Sequence, residues 1–284
     1  MTHDGKRRLP NVPDHVLLKC VGVGAYGEVW LAQNRLGIFR AVKFIFRDRY
    51  VSTDPYRREL TGIQNFVPIS LEHPWLVHVL HVGMNEEAGY FYYVMEAADD
   101  EVAGQKFDPA KYAPKNLSKE LARRGRFPVE ECVTMGLQLT TALNHLHKKG
   151  LIHRDIKPSN IIFVGGIPKL ADIGLVAEIR NEARNSSYVG TQGYIPPEGP
   201  GTAAGDVYSL GKVLYEAAMG RDRMNYPDLP TSVIDGPSDS NLLKLNEIIL
   251  KACESNSDRR YQSAFQLHED LARLKETMQA ASGT

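Results

Sequence analysis

The sequence predicts an α+β fold with two lobes, a small antiparallel sheet with one helix followed by a larger and mainly helical part. Three observations support this prediction. Residues 16 to 50 alternate apolar and polar side chains around a glycine-rich break, a pattern typical of antiparallel strands joined by tight turns. Residues 117 to 150 instead show the roughly 3.6-residue apolar spacing of helices. The length of 284 residues suits two lobes that share a cleft.

The first part of the chain is expected to hold one helix and five strands. Asp54 is predicted as the N-cap of the helix and Pro55 as its first residue, and the helix is expected to run to about Phe66. The five strands are predicted at VLLKCVGVG (16–24), GEVWLAQN (27–34), FRAVKFIFR (39–47), WLVHVLHVG (75–83) and YFYYVMEA (90–97).

A stretch rich in glycine, lysine and proline, from Asp99 to Asn116, is predicted to be a solvated linker. Helices are expected after it, separated by short strands around residues 153–160 and by a polar segment. The predicted lobes are therefore residues 1–98 and 99–284, which together form one domain. The helical segments are LSKELARRG, PVEECVTMGLQLTTALNHLHKKG, DVYSLGKVLYEAAMG and NLLKLNEIILKACE.

Composition argues against several classes of function. Lys plus Arg and Asp plus Glu both number 34, so the formal net charge is zero and no global charge attracts nucleic acid or an anionic membrane. Cys20, Cys132 and Cys253 lack CxxC spacing, which argues against a disulfide framework or a zinc site and fits a reducing compartment. No apolar run is long enough to span a membrane. We therefore expect a cytoplasmic protein, or the cytoplasmic domain of a larger one.

The segment HRDIKPSN (153–160) carries the most informative polar groups. It offers the carboxylate of Asp155, the ammonium group of Lys157 and the amide of Asn160 between two apolar runs. These groups can hold a hydroxyl nucleophile, a transferring phosphoryl group and a metal ion within one small volume. A charged loop this short could by itself be ordinary surface, so its interpretation depends on the other motifs.

The segment GVGAYGEV (22–29) contains a GxGxxG pattern between two predicted strands. Glycine at Gly22, Gly24 and Gly27 would let backbone N–H groups approach phosphate oxygens without obstruction by a side chain. Dinucleotide-binding folds use the same pattern, but in them a helix begins after the third glycine. Here a strand is predicted after Gly27, so a dinucleotide-binding fold is rejected.

Lys43 lies on a half-buried predicted strand, where an unpaired ammonium group is unfavourable and a partner is expected. Glu59 on the predicted helix is the candidate partner. Glu72, which lies beyond the helix, competes with it. The alternative is that Lys43 and Glu59 are two solvated charges that never meet.

Two further acidic residues have expected partners in the second part of the chain. Asp172 could share a Mg²⁺ ion with Asn160, because both offer the oxygen ligands that magnesium prefers. Glu198, in the segment PPE, is expected to pair with Arg260.

In this order, the segments resemble the eukaryotic-type protein kinase superfamily, and the likeness covers about Val16 to Leu274. The resemblance implies a bilobal protein kinase fold and transfer of the γ-phosphoryl group of ATP with Mg²⁺. It implies positioning and electrostatic stabilisation of the reacting groups rather than a covalent intermediate. The residues implied to bind the nucleotide are Gly22, Gly24, Gly27, Val29, Ala41, Lys43, the gatekeeper Met95, Glu96 and Ala98 of the hinge, and Ile162.

The resemblance also implies catalytic roles. Lys43 would hold the α- and β-phosphates and pair with Glu59 in the active state. Asp155 would orient the substrate hydroxyl group and take its proton, and Lys157 would neutralise charge on the γ-phosphoryl group. The implied metal ligands are Asn160 and Asp172.

Lys157 follows Asp155 by two residues, as is typical of serine/threonine kinases, and Thr191 resembles the threonine that contacts both residues in that class. The implied substrates are therefore Ser and Thr hydroxyl groups of proteins. Arg154 resembles a docking group for a phosphate on the activation segment, which indicates autophosphorylation. The candidate acceptors are Ser186, Ser187 and Thr191.

Two other functions stay open. A kinase-fold scaffold without catalysis would normally lack the strand lysine or one of the two aspartates, and all three are present. A small-molecule kinase would share the aspartate and asparagine of HRDIKPSN, but the KP of that segment and the pairing of PPE with Arg260 favour protein substrates. Ile173 replaces the phenylalanine of the usual DFG motif and is expected to affect regulation. The RRYQSA segment is similar to bacterial members of the family.

Overall fold

The structure is a computed structural model that describes residues 9–172, 177–178, 191–230 and 240–282. Its architecture is the predicted α+β one, because a five-stranded antiparallel sheet with one helix precedes a mainly helical part. One cluster of buried side chains extends from Ala41 in the sheet to Met278 in the last helix, so both lobes share a continuous core.

The sheet of the small lobe is covered on both faces. Its strands are β1 His15–Val23, β2 Gly27–Asn34, β3 Phe39–Phe46, β4 Val79–Asn85 and β5 Tyr90–Glu96, in the spatial order β1-β2-β3-β5-β4. Side chains alternate between faces along a strand, so Phe91 and Tyr93 join the main core while Tyr90 and Tyr92 form a second cluster on the other face.

Helix α1, Thr53–Ser70, packs beside this sheet and begins two residues before the predicted start. Its N-cap is Ser52 rather than Asp54, although the Ser52 side chain makes no capping hydrogen bond. Asp54 instead lies in the first turn, where its charge is favourable at the positive end of the helix dipole. The helix continues past the predicted end through Pro68, which removes one backbone N–H donor near the C-terminal end of the helix.

The prediction of one strand over residues 75–83 is wrong in its first half. Strand β4 begins only at Val79, and the residues before it pair with the large lobe instead. Val77 N–H donates to the carbonyl group of Leu170 at 2.9 Å, and Leu76 forms a parallel bridge to the same residue. Leu76, Val77 and Val79 are buried, whereas Leu80 is exposed, so the buried part of the run lies mainly before β4 and not within it.

The large lobe is built around helix α4, Ala203–Met219, which is buried on almost every side and mostly apolar, although it also buries Asp206, Lys212 and Glu216. The Thr202 hydroxyl group accepts a hydrogen bond from Gly205 N–H at 2.9 Å at its start, and Gly220 ends it with a φ of 64°. The predicted helices are all present. The elements are α2 Leu117–Arg124, α3 Val129–Lys148, α4 Ala203–Met219, α5 Ser240–Ala252 and α6 Ala264–Ser282, with short strands β6 Leu151–Ile152, β7 Ile161–Val164, β8 Ile167–Leu170 and β9 Ala177–Glu178.

Residues 99–116 form a mostly solvated loop without helix or strand, as expected, but the loop is held by hydrogen bonds at its base. Asp99 and Asp100 are buried at its start, with 6% and 8% of their surface exposed. Their carboxylates accept hydrogen bonds from backbone N–H groups that a loop would otherwise leave to water. In the part of the chain that the structure describes, we find no helix long and apolar enough to cross a membrane.

Candidate active site

A cleft between the two lobes is lined by every residue that the sequence singled out for nucleotide binding, metal binding and catalysis. Its volume is about 570 Å³, within the usual range for small-molecule sites. The sheet forms one wall, and the catalytic loop (residues 153–160) with β7 forms the other. The predicted residues in its lining are Gly22, Gly24, Gly27, Val29, Ala41, Lys43, Glu59, Met95, Glu96, Ala98, Asp155, Lys157, Asn160, Ile162 and Asp172.

The glycine-rich turn between β1 and β2 covers the cleft. Gly24 N–H donates to the carbonyl group of Gly27 at 2.9 Å and closes the turn. A Cβ atom at Gly27 would lie 2.0 Å from the carbonyl oxygen of Phe44, so packing alone excludes any side chain there. A Cβ atom at Gly22 or Gly24 would have no neighbour closer than 3.8 Å. Glycine at those two positions therefore keeps the backbone accessible rather than preventing a clash.

Lys43 on β3 forms its ion pair across the cleft, with Asp172 of the large lobe. The expected pair with Glu59 is wrong for this conformation, because the Glu59 carboxylate accepts a hydrogen bond from the hydroxyl group of Tyr50 instead. Asp172 has a φ of 61°, in the left-handed region, which aspartate tolerates better than most residues. The ammonium group thus pairs with Asp172, whereas the Tyr50 hydroxyl group occupies Glu59.

Tyr50, in the connection between β3 and α1, links Glu59 to the glycine-rich turn. Its ring stacks on Tyr26 at the tip of that turn, with the ring centroids 4.5 Å apart and the planes 16° from parallel. The neighbouring Arg49 donates to two carbonyl groups of the same turn, each at 3.1 Å. The position of the turn and the hydrogen bonding of Glu59 are therefore set by one short connection.

Burial and charge act in opposite directions on the ionisable groups of the cleft. Burial lowers the pKa of Lys43, but Asp172 and neighbouring acidic groups raise it well above its usual value. The charge of Lys43 lowers the pKa of Asp172 in spite of burial. Burial raises the pKa of Glu59, and Lys43 and the Tyr50 hydroxyl group offset only part of that rise. Lys43 and Asp172 are therefore both charged at neutral pH.

Asp155 is held in one orientation by three neighbours and is 8% exposed. Its Oδ2 atom accepts a hydrogen bond from Asn160 Nδ2 at 2.9 Å and lies 2.7 Å from Lys157 Nζ. The Thr191 hydroxyl group accepts from Lys157 Nζ at 2.8 Å and donates to Asp155 Oδ1 at 3.3 Å. The contact of Thr191 with both residues, implied by the resemblance, is present.

The backbone of the catalytic loop is fixed by Asp206 of helix α4, a role that the sequence did not reveal. Its carboxylate accepts the N–H groups of His153 at 2.8 Å and Arg154 at 2.9 Å, and it lies 2.8 Å from His147 Nε2. Arg154 has a φ of 70°. Burial raises the pKa of Asp206, but the hydrogen bond and charge of His147 outweigh it, so the pKa lies below its usual value. The carboxylate therefore stabilises a strained backbone next to Asp155.

The donor chemistry of Asn160 and Asp172 fits Mg²⁺. Asn160 Nδ2 donates to the backbone and carboxylate oxygens of Asp155, both at 2.9 Å, which leaves the amide oxygen available as a ligand. The Asp172 side chain is 43% exposed and supplies a carboxylate. Magnesium is commonly held by one or two protein carboxylates and completed by substrate phosphates and water.

The sequence predicted the hinge at the end of β5 but not the ion pair that Glu96 forms there. Glu96 turns its carboxylate away to Lys169 of β8, whose Nζ atom lies 2.9 and 2.7 Å from the two carboxylate oxygens. The carbonyl group of Ala98 accepts a hydrogen bond from the hydroxyl group of Tyr112 at 2.9 Å. Met95, which is 9% exposed, belongs to the main core cluster. The apolar residues beside the hinge are Val29, Ala41 and Ile162.

Away from the cleft, the expected pair of Glu198 and Arg260 is present, with Arg260 Nη1 2.6 Å from Glu198 Oε1. The guanidinium group also lies over the ring of Tyr208, 4.9 Å from its centroid. Glu72, the competitor for Lys43, instead pairs with Lys149 at 2.7 Å and takes no part in the site.

Some of the predicted positions lie outside the described residues. These are Ile173 and the candidate acceptors Ser186 and Ser187. Thr191 is described, and its hydroxyl group must leave Asp155 and Lys157 before it can accept a phosphoryl group.

Besides Asp206 and Lys169, three tyrosines that contribute to the site escaped prediction, and the sequence carried a signal for each of them. Tyr26 lies within the glycine motif and Tyr50 follows the lysine strand, and aromatic residues at such places are unusual enough to suggest a contact. Tyr112 lies in a stretch that glycine, lysine and proline make look solvated, although two aromatic residues there contradict that description.

Comparison with known proteins defines the class to which this fold and site belong. The family model described as "Protein kinase domain" matches residues 15–272. The chain therefore belongs to the protein kinase family, and the predicted bilobal kinase fold is confirmed.

The relatives agree with this assignment. A probable serine/threonine-protein kinase of Clostridium perfringens is 32% identical over 282 residues, covering 91% of this chain and 38% of that protein. The serine/threonine-protein kinase PknB of Mycobacterium leprae is 32% identical over 278 residues, covering 89% and 42%. An Aurora kinase of Dictyostelium discoideum is 33% identical over 220 residues, covering 74% and 51%. They support the predicted class, a eukaryotic-type serine/threonine kinase domain. The chain spans only about two fifths to one half of these relatives' length.

Proposed function

We propose that this chain is an active serine/threonine protein kinase that transfers the γ-phosphoryl group of ATP to Ser and Thr hydroxyl groups of proteins, with Mg²⁺. The observation that carries the proposal is the convergence of Lys43 from the small lobe with Asp155, Asn160 and Asp172 from the large lobe on one cleft. That cleft contains the ammonium, carboxylate and amide groups that this chemistry uses.

The catalytic loop performs the transfer. Asp155 orients the substrate hydroxyl group, and the hydroxyl oxygen bonds to the γ-phosphorus while the bond from phosphorus to the β–γ bridging oxygen of ATP breaks. The hydroxyl proton goes to Asp155, and Lys157, 2.7 Å from that carboxylate, neutralises charge on the transferring group. Lys43 holds the α- and β-phosphates. Glu59 is its partner in the active state.

The nucleotide lies beneath the glycine-rich turn, with its base against the hinge. Backbone N–H groups of the turn contact the phosphates, and apolar side chains enclose the base. The residues in these two roles are Gly22, Gly24 and Gly27 for the phosphates, and Val29, Ala41, Met95, Glu96, Ala98 and Ile162 for the base.

Asn160 and Asp172 would hold Mg²⁺ through their side-chain oxygens. Bound Mg²⁺ supplies neutralisation of the negative charge on the β- and γ-phosphates. Lys43 and Asp172 neutralise each other in the present conformation, so the pair must separate before either group can bind its own part of the nucleotide complex.

Protein substrates are favoured over small molecules by the PPE segment, which the buried Arg260 holds through Glu198. Serine/threonine specificity is supported by the hydrogen bonds that join Lys157, Thr191 and Asp155. A non-catalytic scaffold is the second candidate, and the bond that keeps Glu59 on Tyr50 is the observation in its favour.

The test is incorporation of labelled phosphate from Mg·ATP into the chain itself and into a generic basic protein, with Asp155→Asn as the control. We expect the variant to lose about 10²- to 10⁴-fold in rate, because the general base is removed. Equal incorporation of phosphate with the wild type and with Asp155→Asn would favour the non-catalytic scaffold. Retained ATP turnover on a metabolite without transfer to protein would favour a small-molecule kinase.

On the same basis we infer autophosphorylation on Ser186, Ser187 or Thr191, a cytoplasmic location, and a boundary between the lobes at residues 98 and 99. Mass spectrometry of active protein tests the first of these. Detection of all three side chains in unmodified form would contradict autophosphorylation at these positions.

A further inference from the structure

We propose that residues 99–116, here called the strap, tie the two lobes together at the front of the cleft and slow the release of nucleotide. The proposal rests on the proposed function, since it concerns the same nucleotide site. Two independent sets of contacts carry it, one to each lobe.

The strap is anchored to the large lobe at its base. The two carboxylate oxygens of Asp99 accept the N–H groups of Gly165 and Gly166, at 2.8 and 2.7 Å, in the turn between β7 and β8. The backbone of Asp99 also donates to the carbonyl group of Phe163 at 2.7 Å and accepts from Lys115 N–H at 2.8 Å. Both ends of the strap are therefore fixed to one hairpin of the large lobe.

Asp100 closes the strap into a compact loop. Its carboxylate accepts the N–H groups of Val102 at 3.0 Å, Ala103 at 2.8 Å and Ala113 at 2.9 Å. This brings residues from both ends of the strap together and presents its middle part toward the small lobe. These hydrogen bonds limit how far the tip of the strap can move relative to its anchor on the large lobe.

The tip of the strap is fastened to the small lobe. Lys19 on β1 donates from its Nζ atom to the carbonyl groups of Ala110 at 3.1 Å and Tyr112 at 2.8 Å. Hydrogen bonds from an ammonium group are stronger than those between neutral groups. The Phe107 ring packs against Phe39 beside β3 and against Tyr112, with centroid distances of 4.7 and 4.4 Å.

These contacts lie at the nucleotide site itself. Tyr112, which is 2% exposed, lines the cleft and donates its hydroxyl group to the hinge carbonyl of Ala98. Lys19 lies two residues before Val21, which lines the cleft from β1. Any opening that lifts β1 from the large lobe must therefore break the bonds of Lys19 and separate Phe107 from Phe39. Nucleotide release needs such an opening, so the strap slows it.

The test is the rate of release of a fluorescent ADP, mant-ADP, chased by excess ATP in a stopped-flow instrument with Mg²⁺ present. We expect Lys19→Ala and Phe107→Ala to release mant-ADP about three- to tenfold faster than the wild type, because each removes one contact between the strap and the small lobe. Lys19→Arg should restore the slow rate, since a guanidinium group can also donate to two carbonyl groups. Lys111→Ala, which removes an exposed lysine of the same strap, is the matched control and should leave the rate unchanged.

The outcomes separate this proposal from the proposed function. Binding of mant-ADP with the same release rate in Lys19→Ala, Phe107→Ala and the wild type would overturn the strap alone. A lowered melting temperature without faster release would overturn it too, because the strap would then stabilise the fold without retaining nucleotide. If Phe107→Ala does not fold, Phe107→Leu removes the ring stacking with less loss of volume. A wild type that binds no mant-ADP would overturn both proposals.

Discussion

The Glu59 carboxylate has two possible partners in the small lobe, and its choice between them governs the state of the cleft. In this conformation it accepts the hydrogen bond of Tyr50, while Lys43 is drawn to Asp172. The charge of Lys43 nevertheless lowers the pKa of Glu59, so the two groups attract each other even in this conformation. The active arrangement requires that exchange.

Tyr50→Phe should therefore raise the rate of phosphate transfer. The substitution removes the competing hydroxyl group but keeps the ring that stacks on Tyr26. We expect a roughly threefold to tenfold rise in kcat, the effect of one hydrogen bond to a charged group. Steady-state kinetics with a generic protein substrate measures it. Tyr26→Phe, which also loses a hydroxyl group but not a bond to Glu59, is the control. A kcat that stays the same or falls in Tyr50→Phe would show that Tyr50 does not hold Glu59 back.

Lys43→Met should lower the free energy of unfolding in a manner that depends on pH. The pKa of Asp172 is lowered in the fold, so its contribution is present above about pH 3.9 and is lost as the pH falls through the folded value. The pKa of Lys43 is raised, so its contribution is present below about pH 10.4 and is lost as the pH rises through the folded value. The pair therefore stabilises the fold across the neutral range.

We expect the loss in Lys43→Met to be about 1–2 kcal/mol between pH 5 and pH 9, below the range for a fully buried pair because water screens the exposed part of Asp172. Urea unfolding at a series of pH values measures it. The difference from the wild type should begin to narrow below about pH 4, where the Asp172 carboxyl group of the unfolded chain becomes protonated, and should be lost below the lowered folded pKa. A difference that stays constant to pH 3 would contradict the assignment of the pair.

Among single residues, the sequence identified the reactive groups but not the partner that Lys43 has in this conformation. Lys43, Asp155, Asn160 and Asp172 were recognisable because their chemistry and order along the chain are specific. The partner of Lys43 was not, because the choice among carboxylates is made by small differences in distance and competing donors. Those differences depend on how α1 and the connection before it pack, which local patterns do not determine.

Helix α4 organises the large lobe through charged groups at its N-terminal end. Asp206 in its first turn holds the backbone of the catalytic loop. The carbonyl group of Ala204, also in that turn, accepts from Arg260 Nη1 at 3.1 Å. Arg260 in turn binds Glu198 and the carbonyl group of Glu254, two residues after the end of α5. The PPE segment, α4 and α5 are thus joined by one guanidinium group.

Glu198→Ala should destabilise the protein by about 3–5 kcal/mol, because it leaves the Arg260 cation buried without a counter-charge. The Arg260 side chain is fully buried, whereas that of Glu198 is 31% exposed and can be hydrated when it loses its partner. Urea unfolding measures the loss. Glu254→Ala keeps the carbonyl group that binds Arg260 and should stay within about 0.5 kcal/mol of the wild type. A loss in Glu198→Ala as small as in this control would contradict a buried, uncompensated charge.

Among the secondary elements, the types were predictable and some boundaries were not. The helices of the large lobe carry a clear apolar period, so their positions followed directly from the sequence. The start of α1 was displaced because Ser52, Thr53 and Asp54 are all good capping residues and local sequence does not choose among them. Apolar periodicity predicts one strand over residues 75–83, because it does not reveal that the first half pairs with the large lobe.

Across the whole molecule, the two lobes are joined at several separate places around one cleft. The hinge ion pair of Glu96 and Lys169 lies behind it, the pair of Lys43 and Asp172 crosses it, and the strap closes its front. The buried core is also continuous between the lobes. The strap could not be predicted, because its contacts join residues about ninety positions apart in a segment of loop-like composition.

Ligand binding should therefore stabilise the chain as a unit. A non-hydrolysable ATP analogue with Mg²⁺, at about one hundred times its Kd, should add about 2.7 kcal/mol to the free energy of unfolding. For a chain of 284 residues this corresponds to a rise in melting temperature of about 4–5 °C. Differential scanning calorimetry measures it. At the same concentrations, Asp172→Asn should show a much smaller rise, and an equal rise in that variant would indicate that the nucleotide complex does not use Asp172.

The most direct test of the shared phosphate site is a crystal structure of the chain with Mg²⁺ and a non-hydrolysable ATP analogue. We predict that Lys43 will have left Asp172 for a phosphate oxygen, and that side-chain oxygens of Asp172 and Asn160 will lie about 2.1 Å from the ion. A structure with the analogue bound in which Lys43 still pairs with Asp172, and no ion lies at Asp172 and Asn160, would contradict it.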